Sequence, residues 1–137
     1  MRRAWLALAL LAAGCGGGGS DVDARLSVVV PDNNIRAEGE ECAGATPFRA
    51  IHRGTAFTIE DADGAVVADG ELPTGHATNA DPRIDWESER FPTVCVFEVE
   101  VGLPKRDRYS LVLPKTLPLG FERRLLGDEP LRLVLSG

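Results

Sequence analysis

Every second residue from Phe91 to Val101 is apolar or threonine, and this spacing constrains the fold more than any other feature of the sequence. A repeat of two residues places these side chains on one face of a strand, whereas an α-helix repeats every 3.6 residues and would disperse them. Glu98 and Glu100 fall on the opposite face. The segment is therefore predicted to be a strand with one buried face, and Cys95 is expected to point into the core.

Shorter segments with strand signals follow one another through the rest of the chain, bounded by proline, glycine or charged residues. They are residues 22–30, 55–60, 65–68, 108–113 and 130–135, with a further short strand suggested at 121–126. The first is expected to stop at Pro31, because proline cannot donate to a sheet ladder. No segment after residue 20 has a convincing helical period. The patterns predict an all-β fold: a two-layer antiparallel β-sandwich of six to seven strands over residues 22–137.

The stretch Asp61-Ala62-Asp63-Gly64 lies between two of these strands and has two interpretations. Asp-Gly is typical of a hairpin turn, because glycine adopts the positive φ that the turn requires. Aspartates at this spacing also suggest a calcium loop. Placing Gly64 at the glycine of an EF-hand loop puts Ile59 and Gly70 at its first and last ligand positions, and neither supplies a carboxylate. The sequence therefore predicts a hairpin.

Residues 1–14 have the three parts of a secretory signal peptide. Arg2 and Arg3 form a basic start, residues 4–13 are apolar, and small residues precede Cys15. As a helix the apolar run would be about 15 Å long, at 1.5 Å per residue, which is too short for a hydrocarbon core of about 30 Å. A buried N-terminal helix is the alternative, but the run has no amphipathic stripe. We interpret residues 1–14 as a segment that is removed from the mature protein.

The stretch Leu11-Ala12-Ala13-Gly14-Cys15 resembles the lipobox of bacterial lipoproteins, although the preferred leucine stands one position further upstream than usual. In that family the cysteine receives a diacylglycerol, the signal is cut before it, and the new amino group is usually acylated. The resemblance implies that Cys15 anchors the protein in a lipid bilayer, with residues 15–21 as lipidated cysteine and flexible glycine-rich tether. The implied location is the cell membrane or, since Gly16 is not aspartate, the outer membrane of a two-membrane bacterium.

The mature chain is predicted to be acidic. Cleavage before Cys15 removes two of the 15 basic residues and none of the 21 acidic residues, so the net charge changes from −6 to −8. A surface of this charge disfavours non-specific binding to nucleic acid or to anionic lipid headgroups. A nucleic-acid partner is therefore not expected.

The three cysteines divide into one anchor and one pair. Assigning Cys15 to lipid leaves Cys42 and Cys95, an even number in an oxidising compartment. A bridge between them would close a loop of roughly 54 residues and stabilise the fold by about 4 kcal/mol in the chain-entropy model. A metal site or a nucleophilic cysteine is the alternative, but neither cysteine lies in a CxxC pair and no histidine has ligand spacing to them. We predict a disulfide, and we expect no metal or other cofactor.

The runs FTIEDADGAVVADGEL and CVFEVEVGLPKRDRYSLVLP, within residues 55–113, resemble small transthyretin-like and collagen-adhesin B-type modules. Those modules share a strand, a D-x-D-G-like hairpin, a second strand and a later strand that follows a proline. The chain also resembles lipoproteins of GC-rich bacteria with one internal cysteine pair. The isopeptide-forming lysine of adhesin modules has no evident counterpart here, because the only lysines are Lys105 and Lys115, in loops. The resemblance implies a binding or spacer module.

Residues 31–54 and 73–90 are longer and more polar than ordinary connections, and such loops are generally functional or mobile. The second contains the candidate ligand-binding residues His76, Asp81, Asp85 and Trp86. A tryptophan flanked by carboxylates could stack on a sugar or hold a cation. In the alternative interpretation, which we favour, Trp86 and Ile84 fold back over the open edge of the sandwich while the charges stay in solvent.

The chain offers little catalytic machinery. His52 and His76 with Glu40 and Glu41 are candidates for a base or ligand pair, and they would make the protein an envelope hydrolase or a metal-dependent enzyme. No GxSxG, HExxH, P-loop or dinucleotide-binding glycine pattern occurs beside them. The sequence therefore predicts an extracytoplasmic lipoprotein, not an enzyme, that binds an envelope protein or polysaccharide or serves as an accessory subunit.

Overall fold

The computed structural model describes residues 21–136 of the chain. The predicted signal peptide 1–14, the lipidation site Cys15 and the tether as far as Ser20 lie outside the described residues. Within 21–136 the chain forms nine strands and one 3-10 helix, Arg123–Leu125. In chain order the strands are β1 Val22–Ala37, β2 Glu41–Cys42, β3 Ala56–Asp61, β4 Val66–Glu71, β5 Gly75–Asn79, β6 Arg90–Leu103, β7 Arg108–Val112, β8 Leu119–Glu122 and β9 Leu131–Val134.

The strands form two packed sheets, which confirms the predicted all-β sandwich. The larger sheet has the order β2-β5-β6-β1-β9 and the smaller sheet the order β4-β3-β7-β8. Neighbouring strands are antiparallel except β1 and β9, which run parallel with Leu26 opposite Leu131. No helix within residues 21–136 is long and apolar enough to cross a bilayer.

The core lies between the inner faces of the two sheets. The central strands of the larger sheet bury every second residue, namely Ala24, Leu26, Val28 and Val30 of β1 and Cys95, Phe97 and Val99 of β6. The smaller sheet covers them with Phe57, Ile59, Tyr109, Leu111 and Phe121. The period of two in the sequence thus corresponds to one core-facing side of each strand, and Cys95 points into the core as expected.

A disulfide joins Cys42 to Cys95, which confirms the predicted pair. Cys42 lies on β2, at the edge of the larger sheet, and Cys95 lies on β6, two strands further in. The bridge therefore crosses β5, and it does so at Gly75, which pairs with Cys42. A Cβ at position 75 would come within 2.6 Å of Cys95 Sγ and 2.7 Å of the Phe97 ring. Glycine is required there because the bridge and the aromatic ring occupy the space of a side chain.

The prediction that the first strand stops at Pro31 is wrong, since β1 continues to Ala37. Pro31 lies beyond Val29, the last residue of β1 that pairs with β9, so the proline needs no donor toward a second neighbour. The register with β6 shifts between Pro31 and Asn34, and Asn33 has a φ of 54°. The strand therefore has a bulge at this point, which accommodates the proline, and regular pairing with β6 continues from Asn34.

The long segments 31–54 and 73–90 are not wholly loops, which corrects a second expectation. They contain the end of β1, the two-residue β2 and all of β5. The sequence of β5, Gly-His-Ala-Thr-Asn, has no apolar alternation, so its strand conformation comes from pairing with β2 and β6 rather than from its own pattern. The short strand expected at 121–126 begins earlier, as β8, and is followed by the 3-10 helix.

The β3–β4 hairpin forms as predicted, with Gly64 at a φ of 81°. Asp61 Oδ1 accepts hydrogen bonds from the backbone N–H of Asp63 and of Ala65, and Arg106 Nε donates to Asp61 Oδ2 at 3.3 Å. Burial by itself raises the pKa of the Asp61 carboxyl, but these hydrogen bonds and the Arg106 charge outweigh it and hold the pKa below its ordinary value. The carboxylate therefore closes the turn as a hydrogen-bond acceptor.

Candidate functional site

The β5–β6 connection, residues 80–89, holds the tryptophan of the predicted site. Trp86 Nε1 donates a hydrogen bond of 3.1 Å to Asn79 Oδ1, and the backbone N–H of Asp81 donates to the same oxygen at 2.9 Å. Trp86 remains 36% exposed. The indole is thus held through its N–H group while part of its surface is open to solvent.

The favoured interpretation, in which Ile84 and Trp86 fold back over the open edge of the sandwich, does not agree with the structure. Ile84 is 42% exposed, and all residues from Pro82 to Arg90 are exposed. The physical reason is that the core is already closed without them, by the loop after β2, whose Phe48 and Ile51 are buried in it. The connection therefore presents apolar surface to the outside.

The two aspartates of the predicted site have different surroundings. Asp81 accepts hydrogen bonds from Arg83 Nε and Nη2, both at 2.9 Å, and these bonds together with the Arg83 backbone N–H lower the pKa of its carboxyl. Asp85 is exposed, and its Oδ1 accepts the backbone N–H of Glu87 at 3.0 Å. The Asp81 carboxylate is therefore paired with the Arg83 guanidinium of the same loop. The second carboxylate oxygen of Asp85 can accept a hydrogen bond from a ligand.

His76 is not part of the same cluster. Asn79, which holds Trp86, lies on the same side of β5 as the buried Ala77, whereas His76 lies on the opposite, exposed side. His76 Nδ1 lies 3.1 Å from the carbonyl oxygen of Gly39, and because a carbonyl can only accept, this nitrogen carries the proton in that contact. The structure brings Asp81 and Trp86 together at Asn79, and it does not bring His76 to them.

Of the histidines and glutamates considered as a catalytic pair, only His76 and Glu41 lie side by side. His52 is exposed and its Nδ1 contacts the carbonyl of Arg53 at 2.8 Å, while His76 lies opposite Glu41 across β2 and β5. Glu40 forms ion pairs of 3.7 Å with Arg36 and with Arg90. Among residues 21–136 no group of three or more histidine, cysteine, aspartate or glutamate side chains has metal-binding geometry.

A buried ion pair beneath the connection is the feature that the sequence analysis missed. The Asp32 side chain is 1% exposed, Arg36 Nε donates to its Oδ2 at 2.9 Å, and Thr93 Oγ1 donates to the same oxygen at 2.8 Å. Asn34 Nδ2 approaches Oδ1 at 3.5 Å. Asp32 also raises the pKa of Arg36, chiefly through the hydrogen bond between them. The buried carboxylate is therefore fully satisfied by its neighbours.

This ion pair lies next to the residue that holds the tryptophan. Thr93 pairs in register with Asn79 of β5 on one side and with Asn34 of β1 on the other, so three polar residues form a row across the sheet. Directly opposite residues have Cβ atoms about 5 Å apart. The signal in the sequence is the run Asp32-Asn33-Asn34 directly after a strand, but its burial depends on β1 continuing past Pro31.

The site thus consists of a half-exposed indole, fixed at its N–H and supported by a satisfied polar row. Exposed carboxylates of Asp85, Glu87 and Glu89 surround it in sequence. Its exposed groups can stack on a ring and accept hydrogen bonds, which is chemistry suited to non-covalent contact with a ligand. Comparison of the chain with known protein families, with curated proteins and with solved structures finds no match.

Proposed function

We propose that the protein is an extracytoplasmic lipoprotein, anchored in a membrane through acylated Cys15, whose sandwich is a binding module of the cell envelope. The observation that carries this proposal is the disulfide between Cys42 and Cys95. It accounts for both downstream cysteines, so Cys15, in its lipobox-like context, is the remaining thiol of the three. A buried structural disulfide also fits an oxidising compartment better than the cytosol.

The start of the folded part supports the same assignment. The backbone N–H of Asp21 donates to the carbonyl of Leu103 at 3.0 Å, and β1 begins at Val22. A mature chain that begins at Cys15 would therefore retain every described strand. Residues 16–20 would serve as the tether between lipid and domain.

We further propose that the surface around Trp86 contacts a neutral or amino-sugar glycan of the envelope. An exposed indole face stacks on the apolar face of a sugar ring, and exposed carboxylates accept hydrogen bonds from hydroxyl or ammonium groups. A strongly anionic polymer is disfavoured, because Asp85, Glu87 and Glu89 would repel it. The alternatives to a glycan ligand are an envelope protein as the partner and a role as an accessory subunit.

Trp86 also provides the test. The chain has two tryptophans, and Trp5 lies in the segment that the proposal removes, so Trp86 is the single tryptophan of the mature protein. Titration with soluble amino-sugar oligosaccharides from the cell wall is expected to shift its emission to the blue and to reduce acrylamide quenching. Trp86→Ala should weaken binding at least about fivefold by calorimetry, if stacking on a sugar contributes about as much as the 1–3 kcal/mol found for stacked bases.

The control for this titration is Trp86→Phe, which keeps an aromatic face but loses the hydrogen bond to Asn79, and it should retain part of the affinity. Binding that is unchanged in Trp86→Ala, or an emission spectrum that does not respond to any of these glycans, would remove the glycan from the proposal.

A further inference from the structure

The outer face of the larger sheet, the side turned away from the smaller sheet, is apolar at its centre. In a two-layer sandwich this side normally carries polar residues. Here seven outward-facing residues on three strands are apolar: Val29, Pro31 and Ile35 on β1, Pro92, Val94 and Val96 on β6, and Val134 on β9. We call these seven residues the apolar strip.

The apolar strip is continuous across the sheet. Val96 pairs with Val29, and Val29 pairs with Val134, so three valines lie side by side on adjacent strands. The next rows place Pro31 beside Val94 and Ile35 beside Pro92. Ile35 and Val134 are 59% and 52% exposed, whereas Val29 is only 2% exposed because its neighbours on the sheet cover it. The other four residues of the strip are partly exposed.

Charged residues border the strip at the end where β1 begins. Arg25 and Glu100 are paired in register and form an ion pair of 3.4 Å, with side chains 48% and 76% exposed. Arg25 also donates to the carbonyl of Asp128. In the following row Ser27 donates to Glu98, and Arg132 lies on the other side of Ser27. Arg25 and Arg132 are on β1 and β9 and the two glutamates are on β6, while Asp23 adds an exposed negative charge at the start of β1.

We propose that a second copy of this chain covers the apolar strip, related to the first by a two-fold axis that lies between β1 and β6 and runs parallel to them. This operation exchanges the positions of β1 and β6. Val29 of one copy then lies over Val96 of the other, Pro31 over Val94, and Arg25 over Glu100. The apolar residues of β1 then meet those of β6, and Arg25 meets Glu100, as a self-complementary interface requires. Val134 of β9 lies over His76 of β5, at the edge of the interface.

The proposed axis is favoured over one perpendicular to the strands. A perpendicular axis through the strip would place Arg25 over the apolar end of the second copy, near Ile35, where no opposite charge faces it across the interface. It would also direct the two copies of β1 in opposite senses. With the parallel axis both copies of β1 begin at the same end, so both N-termini can reach one membrane; this last point rests on the proposed anchor at Cys15.

The size of the strip predicts a weak dimer. Three strands about 4.8 Å apart, over about four residues of 3.4 Å each, give an apolar area of roughly 200 Å², and the charged border about doubles it. A standard interface buries about 800 Å² on each partner. We therefore expect dissociation in the micromolar range or weaker in solution, and a larger dimer fraction where anchoring in one membrane raises the effective concentration.

The first test is the mass of the full-length protein in mild detergent, measured by light scattering and sedimentation from about 5 to 500 µM, a range set around the weak affinity expected for a small interface. The unmodified protein should pass from monomer to dimer. Val96→Lys should reduce the association constant at least tenfold, and Val134→Lys, at the edge of the interface, should reduce it less, while circular dichroism stays unchanged. Val66→Lys is the matched control, because Val66 is 57% exposed on β4 of the smaller sheet.

The second test isolates the two-fold geometry. Arg25→Glu and Glu100→Arg should each remain monomeric, because like charges meet across the axis, but an equimolar mixture of the two variants should form a heterodimer. An unmodified protein that stays monomeric throughout the range would overturn the proposal, as would a dimer that survives Val96→Lys or a mixture that does not associate. These results do not depend on the lipid anchor. If the anchor proposal alone is wrong, Cys15 will be unmodified and the protein will still dimerise.

Discussion

Replacing Arg36 by alanine is expected to destabilise the domain by about 3–5 kcal/mol, the usual cost of removing one partner of a buried ion pair. The Asp32 side chain is 1% exposed, and Arg36 is the cation in contact with it. Thr93 and Asn34 would still donate hydrogen bonds, but they carry no charge. Equilibrium unfolding in urea should therefore show a lower midpoint with an unchanged slope.

Two further variants separate the buried charge from lost packing. Asp32→Asn added to Arg36→Ala should recover about 1–2 kcal/mol, because the second substitution removes the unpaired charge. Arg83→Ala is the matched control: Arg83 also donates to an aspartate at 2.9 Å, but its side chain is 87% exposed, so the loss should stay below about 1 kcal/mol. Equal losses for Arg36→Ala and Arg83→Ala would contradict the account of a buried ion pair.

Removing the disulfide with Cys42→Ala and Cys95→Ala together is expected to cost about 4 kcal/mol in the chain-entropy model, for a loop of roughly 54 residues. Cys42 and Cys95 are 53 positions apart in sequence. The local effect should be greatest at β2, because this edge strand is otherwise held to β5 by the pairing of Glu41 and Cys42 and by backbone hydrogen bonds of Gly39 and Glu40 to Ala77. Urea unfolding measures the loss in the global free energy of unfolding, and hydrogen exchange at β2 and β5 measures the local loss of stability.

The controls for the disulfide use the unmodified chain. Unfolding it in the presence of a strong reductant should reproduce the stability of the double variant, whereas Cys15→Ser should unfold like the parent. Two reactive thiols in the non-reduced, denatured protein, in addition to any at Cys15, would show that the bridge does not form.

The sequence predicts those parts of the fold whose signals are local. The alternation in 91–101, the Asp-Gly turn at Gly64 and the pairing of Cys42 with Cys95 all follow from nearby residues or from counting. β5 does not, because its five residues have little strand propensity and become a strand only between β2 and β6. Gly75 has its reason in the disulfide that crosses it, a contact that no local pattern contains.

The site and the outer face differ in how much the sequence could have indicated. The burial of Asp32 depends on a bulge after Pro31 and on a threonine 61 positions away, so it is a tertiary property. The apolar strip does have a local signal. Residues 28–31 and 94–97 are apolar at consecutive positions, which is typical of strands covered on both faces. The signal lies in the outward-facing residues of these runs, whereas the strand prediction rests on the core-facing ones.

These features combine into one account of the molecule. The lipid anchor would hold the chain at a membrane, the sandwich would present Trp86 through the β5–β6 connection, and the outer face of the larger sheet would pair with a second copy. Trp86 is held at Asn79 and the apolar strip spans β1, β6 and β9, so glycan contact and self-association use different residues. Each can therefore be removed by substitution without removing the other.

The intact mass of the mature protein, extracted from membranes with detergent, tests the central claim most directly. The account predicts a chain that begins at Cys15, lacks residues 1–14, and carries the added mass of a diacylglycerol and, where the amino group is acylated, one further acyl chain. Fragmentation should locate this mass on residue 15. A membrane-bound form that retains residues 1–14 and has an unmodified Cys15 would contradict the account.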